Sequence, residues 1–304
     1  MNPVLKRTLC GLTVGAAVVA FFLYCPLKAI PVALLIFTFL LQLEFYQMVK
    51  KYEPATVFGL VAGVIWMIAT AAFPGTIGFA GTMAALGMLA VPFTFLLACV
   101  VMFRERNKKP IGTIGTTLLG FVYVPFLMSF FLRLVQLASD PGQYFALPPT
   151  RTGLYTLFAL IALAKFSDTG GFAFGVSFGK HKMCPSISPN KSWEGLVGSM
   201  VFASATLAVL YLISQKFGWA NDCCLWEHLS WPLVVPLGIL FALAATAGDL
   251  VESRFKRECG VKDSATFMPA GMGGFLDMFD SILFLPALVF PVELYLYWVK
   301  DWVK

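Results

Sequence analysis

Asp249, Glu252, Ser253 and Lys256 stand at i, i+3, i+4 and i+7 within the charged stretch GDLVESRFKREC. A helix continuing through residues 248–257 places all four on one face, with Arg257 beside Lys256. Such a face offers carboxylates to a cation and basic groups to a phosphate. The turn Pro269-Ala270-Gly271-Met272-Gly273-Gly274 follows, and its backbone N–H groups can approach an anion closely. Beyond it Asp277, Asp280 and Ser281 sit at i, i+3, i+4 at the mouth of the next helix. Two facing carboxylate clusters repel unless a divalent cation lies between them, which points to metal-assisted chemistry on a phosphate. The competing reading is an interfacial loop whose charges are solvated.

The elements that must position these groups are apolar. Runs at 231–247 and 281–298 bracket the stretch, and a charged insert between two membrane-length segments is a functional-site candidate by default. Of 304 residues, 59% are hydrophobic and 12% charged, and the mean hydropathy is +0.82. These values belong to polytopic membrane proteins. A spanning helix needs about 20 apolar residues. Nine runs are candidates: 8–24, 29–46, 57–73, 77–102, 111–133, 152–166, 194–214, 231–247 and 281–298. The expected fold class is an all-α polytopic membrane protein forming a single integral membrane domain, with 1–150 as scaffold helices and 151–304 carrying the catalytic helices and loops. With the N-terminus inside, only Lys28, Arg133, Arg151, Lys216, Lys300 and Lys304 of the 22 basic residues fall outside. That bias favours an N-in, C-out chain whose motif-bearing loops face the cytoplasm. Lys6-Arg7 before an apolar run mimics a signal peptide, but a small-residue cleavage site is lacking, so a retained first helix is expected.

Several function classes are excluded. The seven cysteines show no C-x-x-C pair and no histidine at metal spacing, which argues against a zinc site or a disulfide framework. No basic stripe with interleaved aromatics stands outside the apolar segments, so nucleic acid is not an expected partner. The run Arg104–Lys109 reads as a topology anchor.

Two other segments bear on the site. The sixth apolar run is short and leads into Lys165-Phe166-Ser167-Asp168-Thr169-Gly170-Gly171, where the helix is expected to break at the glycines and leave Asp168 near headgroup depth. An acid there needs a partner. In FGKHKMCPSISPNKSWEG, residues 178–195, Lys180, His181, Lys182 and Lys191 concentrate positive charge, Pro185 and Pro189 keep the chain extended, Ser192 can cap the next helix and Glu194 suits its first turn. Glu44, in an apolar run near Lys50 and Lys51, is either an active-site wall or an interfacial acid.

The 248–281 stretch resembles the signature of the phosphatidate cytidylyltransferases (CDP-diacylglycerol synthases), S-x-x-K-R, then K-D, then a P-G-H-G-G turn and L-D-R-x-D-S. Ser253, Lys256, Arg257, Lys262, Asp263, Pro269, Gly273, Gly274, Leu276, Asp277, Asp280 and Ser281 match it. The turn is one residue longer here. Met272 or Gly271 replaces the family His, depending on where the gap falls, and Met278 replaces the Arg. The 178–195 stretch, with Lys180, Ser188 and Lys191, resembles the same family's F-G-K-H-K and S-P-x-K-[ST]-W-E-G. The resemblance covers about 165–283, and the N-terminal half only in hydropathy and the Glu44 element.

The resemblance implies cytidylyl transfer from CTP to phosphatidate, with Mg²⁺ and room for a second cation, in a homodimer of the bacterial inner membrane whose site faces the cytoplasm. It implies Asp249 and Asp277 as metal ligands with Asp280 third, and Lys256, Arg257 and Lys262 on phosphates with Asp263 orienting one of them. Lys180 and Lys191 would close over the nucleotide, with Asp168, Ser188, Ser253, Gly273 and Gly274 at the substrates. The alternative is a relative that binds or transports a lipid or nucleotide without catalysis. The D-G-x-x-A-R pattern of CDP-alcohol phosphotransferases is absent.

Overall fold

A backbone surrounded by lipid must satisfy its own N–H and C=O groups, and the apolar runs do so as helices. The computed structural model describes residues 29–72, 93, 95–101, 109–136, 151–217, 226, 228–261, 264 and 274–302. Its elements are α1 (Ile30–Met48), α2 (Thr56–Ala72), α3 (Pro110–Phe121), a π-helical turn (Val122–Phe126), α4 (Leu127–Gln136), α5 (Arg151–Phe178), β1 (Lys182–Cys184), β2 (Ser188–Ser192), α6 (Trp193–Phe217), α7 (Trp231–Cys259), α8 (Phe275–Phe279) and α9 (Phe284–Trp302). Among the described residues six helical segments are long and apolar enough to cross a membrane: Ile30–Met48, Pro110–Gln136, Gly153–Phe178, Trp193–Lys216, Trp231–Cys259 and Phe275–Glu293. The protein is thus an α-helical integral membrane protein. The count of nine spans is not reached among the described residues. The run 8–24 and most of 77–102 lie outside them, and α2 has 17 residues.

One expectation is corrected. The helix expected to break at Gly170-Gly171 does not: α5 runs unbroken for 28 residues. These glycines make room instead of a turn, because a Cβ on Gly170 would lie 2.5 Å from the Gly198 carbonyl oxygen, and one on Gly198 2.5 Å from that of Gly170. Small residues on facing helices permit this close approach of α5 and α6. The fold class is all-α as expected, with one short β-hairpin between α5 and α6. Pro185 and Pro189 flank a short turn, and β1 pairs antiparallel with β2 in the register Lys182↔Ser192 and Cys184↔Ser188. Ser192 then caps α6 as expected, its Oγ accepting from Gly195 N at 3.1 Å.

Buried polar groups tie the N-terminal helices together. Gln42 Nε2 donates to the Gly59 carbonyl at 2.9 Å and the Tyr46 hydroxyl to the Thr117 carbonyl at 3.0 Å, joining α1 to α2 and α3. The apolar core includes Leu41 and Phe45 of α1, Phe131 and Leu132 of α4, Leu160 and Leu163 of α5, Phe241 of α7 and Phe290 of α9. α7 continues as a single helix from Trp231 through the charged stretch to Cys259, and ends on Gly260, whose φ of 72° suits glycine.

The seam between α5 and α6 gives a stability test. Gly170→Val should cost about 1–3 kcal/mol by overpacking, seen as a lower thermal midpoint of the detergent-solubilised protein. Gly115→Ala, with nothing within 4 Å of the added Cβ in the interior of α3, should leave the midpoint no lower.

Candidate active site

One carboxylate oxygen each from Asp249, Glu252 and Asp280 lies within 4.8 Å of the others. Asp249 and Glu252 share a face of α7 as the i, i+3 spacing dictates, and Asp280 comes from the turn between α8 and α9. Glu252 is fully buried, and its Oε1 has no hydrogen-bond partner among the described residues.

Cations hold this cluster from two sides. Lys256 Nζ lies 3.0 Å from Glu252 Oε2 and 2.7 Å from Asp277 Oδ1. Lys191, at the end of β2, lies 2.7 Å from Asp249 Oδ2 and donates to the Thr246 carbonyl at 3.2 Å. A third ammonium group, Lys165 of α5, stands 3.8 Å from Asp168 Oδ2. That same oxygen accepts from Ser281 Oγ at 2.9 Å, which gives Asp168 the partners its position requires. Counted as ionised, five carboxylates here face three ammonium groups. The excess of negative charge, the unpartnered Glu252 oxygen and the all-oxygen donor set together fit a hard divalent cation.

Asp277, expected beside Asp249, stands outside the trio. Its Oδ2 accepts from Gly274 N at 2.6 Å and from Ser264 N at 3.2 Å, while Oδ1 faces Lys256. It closes the start of α8, where backbone N–H groups lack helical acceptors. Glu44 does the same from α1: fully buried, its Oε2 accepts from Leu276 N at 2.8 Å. Gly274 has to be glycine for this arrangement, because a Cβ would lie 2.1 Å from Ser264 Oγ and 2.2 Å from Glu44 Oε1. Of the two sequence readings of Glu44, the wall of the site is the one the geometry supports.

The β-hairpin is docked on the same end. Arg257 Nε donates to the Ile187 carbonyl at 3.1 Å, and Glu194 Oε1 meets His181 Nδ1 at 2.6 Å while also accepting from His181 N. Ser253 Oγ donates to Asp249 Oδ1 at 3.3 Å. Lys180 is exposed and Ser188 half-buried at the ends of the hairpin. Lys262, Asp263 and Gly273 lie outside the described residues. Beside the site, Tyr52 donates to Glu258 Oε1 at 2.7 Å, and Lys109 donates to the Lys51 carbonyl at 2.9 Å. The Tyr52 hydroxyl, with Glu258 behind it, raises the Lys51 ammonium above its ordinary pKa.

The model of the cytidylyltransferase family matches residues 5–296. The chain belongs to that family. Within this cytidylyltransferase family, a protein of Mycobacterium bovis named phosphatidate cytidylyltransferase is 37% identical over 174 residues, 57% of this chain and 48% of the relative. Proteins of the same name from Chlamydia muridarum and Staphylococcus saprophyticus are 31% identical over 208 residues and 42% identical over 135. Those matches cover 67% and 44% of this chain, and 64% and 47% of the relatives. The chain therefore spans about half to under two thirds of the length of these relatives.

Sequence reasoning placed Glu252 on the right face without choosing it for the cation, although the i+3 spacing from Asp249 was the available signal. Lys165 carried a similar signal, three residues before Asp168. Lys256→Met should cost about 3–5 kcal/mol by leaving Glu252 and Asp277 without their shared cation. Glu44→Ala should cost about 1–3 kcal/mol through the orphaned Leu276 N–H. Thermal unfolding in detergent would register both losses.

Proposed function

We propose that this chain transfers a cytidylyl group from CTP to phosphatidate, giving CDP-diacylglycerol and pyrophosphate. The observation that carries this reading is the Asp249–Glu252–Asp280 cluster, with Glu252 and Asp280 buried and Asp249 half-buried, flanked by Lys191 and Lys256 at one end of apolar helices. Membership of the cytidylyltransferase family and the names of its relatives support it.

The reaction joins two polyanions, so positive charge must offset their repulsion. A phosphate oxygen of phosphatidate forms a bond to the α-phosphorus of CTP, and the bond from that phosphorus to the bridging oxygen breaks, with its electron pair leaving on pyrophosphate. No side-chain nucleophile is needed, because a phosphate monoester is already ionised at neutral pH. Asp249, Glu252 and Asp280 would hold a divalent cation, Mg²⁺ in the first instance, which supplies charge neutralisation at the phosphate oxygens when bound. Lys191 brings the hairpin to the cation site, where its ammonium, with that of Lys180, can meet the triphosphate. Lys256 keeps Glu252 and Asp277 in place, and Arg257 holds the hairpin through Ile187 while its terminal nitrogens remain for phosphate. Lys262 completes the proposed phosphate-binding set, and Asp263 would orient one of its cations.

The basic-residue bias supports an N-in, nine-span arrangement in a bacterial inner membrane, with CTP arriving from the cytosol and phosphatidate from the facing leaflet. A homodimer completes the reading by family resemblance.

The test is Mg²⁺-dependent conversion of labelled CTP into a lipid-soluble product by protein purified in detergent with phosphatidate. Asp249→Asn and Asp280→Asn should each lower turnover by about a hundredfold or more. A folded protein that binds CTP and makes no lipid product would sink the reading and favour binding or transport.

A further inference from the structure

Lys165 has no part in the chemistry assigned above. Its Nζ donates to the Met278 carbonyl at 2.8 Å and stands a looser 3.8 Å from Asp168. Of the three ammonium groups around the acidic cluster, it is the most accessible, with 46% of its side chain exposed, against 22% for Lys191 and 13% for Lys256. Lys191 and Lys256 each have a carboxylate at 2.7 Å. An ammonium carries three donors, and Lys165 has one short bond among the described residues, which leaves capacity for an anion.

Its setting says which anion. Lys165, Thr169, Phe172 and Val176 follow one another at helical spacing along α5, and all are exposed, as is Phe166 beside Lys165. Phe172 and Val176 are more than two thirds exposed. The ammonium therefore stands where an outward apolar stripe meets the acidic cluster through Asp168 and Ser281. A charge on the lipid-facing side of a membrane helix is costly unless it meets an opposite charge, and the anion that arrives along such a face is the headgroup of a membrane lipid.

We infer that Lys165 binds the phosphate of the lipid substrate, steering it to the Asp249–Glu252–Asp280 cluster from the bilayer side. This rests on the cytidylyl-transfer reading. It divides the cations by substrate: Lys165 on the α5 flank receives the lipid phosphate, while the hairpin lysines face the nucleotide. Lys165 touches the substrate in the ground state as well as the transition state, so its loss should weaken substrate binding more than turnover.

The test uses the full chain in mixed micelles, with K165M and K165R beside the wild type. K165M should raise the KM for phosphatidate about tenfold or more, as expected for a lost charge-assisted hydrogen bond, with the KM for CTP and kcat within about twofold. Equilibrium binding of phosphatidate without CTP should weaken by a similar factor, and K165R should restore most of both. An unchanged KM for phosphatidate, or a rise confined to CTP, would overturn the inference. So would a fall in thermal midpoint without that split, which would mark Lys165 as only a cap on the Met278 carbonyl. Were the wild type to make no lipid product, the cytidylyl-transfer reading would fail. The binding comparison would still decide Lys165, and a wild type that binds phosphatidate no better than K165M would count against it.

Discussion

The position of one ammonium group, Lys256, between Glu252 and Asp277 governs the geometry of the whole site. Buried carboxylates repel one another and resist desolvation, so a cluster of them holds together only around embedded positive charge. Lys256 supplies it from the helix that also carries Asp249 and Glu252. Because Asp277 takes the other side of that ammonium and also receives the Gly274 and Ser264 N–H groups, the five-residue helix α8 is pinned against α7. Glu44 pins it from α1. Asp280, just past the end of α8, therefore reaches the cluster with little freedom.

The C-terminal helices divide into parts that are fixed and a part that is tethered. α5 and α6 meet through glycines whose carbonyls leave no room for a Cβ, so their relative position is set by backbone contact. The hairpin between them is held by fewer bonds: Lys191 to Asp249, Arg257 to the Ile187 carbonyl, and Glu194 to His181. Two of these three reach α7, the helix that bears the acids. The basic loop is thus registered to the carboxylates and not merely adjacent to them.

Much of this was legible in the sequence where the signal was local. The i, i+3, i+4, i+7 spacing predicted the charged face of α7, the prolines predicted extended chain where β1 and β2 form but not the turn at 185–187 between them, and Ser192 predicted the start of α6. The misreadings share a physical cause, which is that the deciding partner is remote in the chain. Gly170-Gly171 reads as a break unless the facing Gly198 and Ser199 are known. Glu44 stays ambiguous until Leu276, more than 200 residues on, is seen to donate to it.

The π-helical turn Val122–Phe126 has a consequence for how this bundle tolerates change. Such a turn amounts to one extra residue wound into an otherwise regular helix, and it gives Pro125 space where a tight ladder would clash. Each helical residue advances the face by about 100°. The ten residues of α4 that follow are therefore presented in a phase set by that single surplus position. In this phase the Arg133 guanidinium, almost wholly buried, lies over the Phe290 ring at 5.9 Å. A one-residue deletion in the turn would rotate α4 by about 100° out of step with α5 and α9. The segment is thus a phase adjuster, and its length decides which face of α4 meets its neighbours.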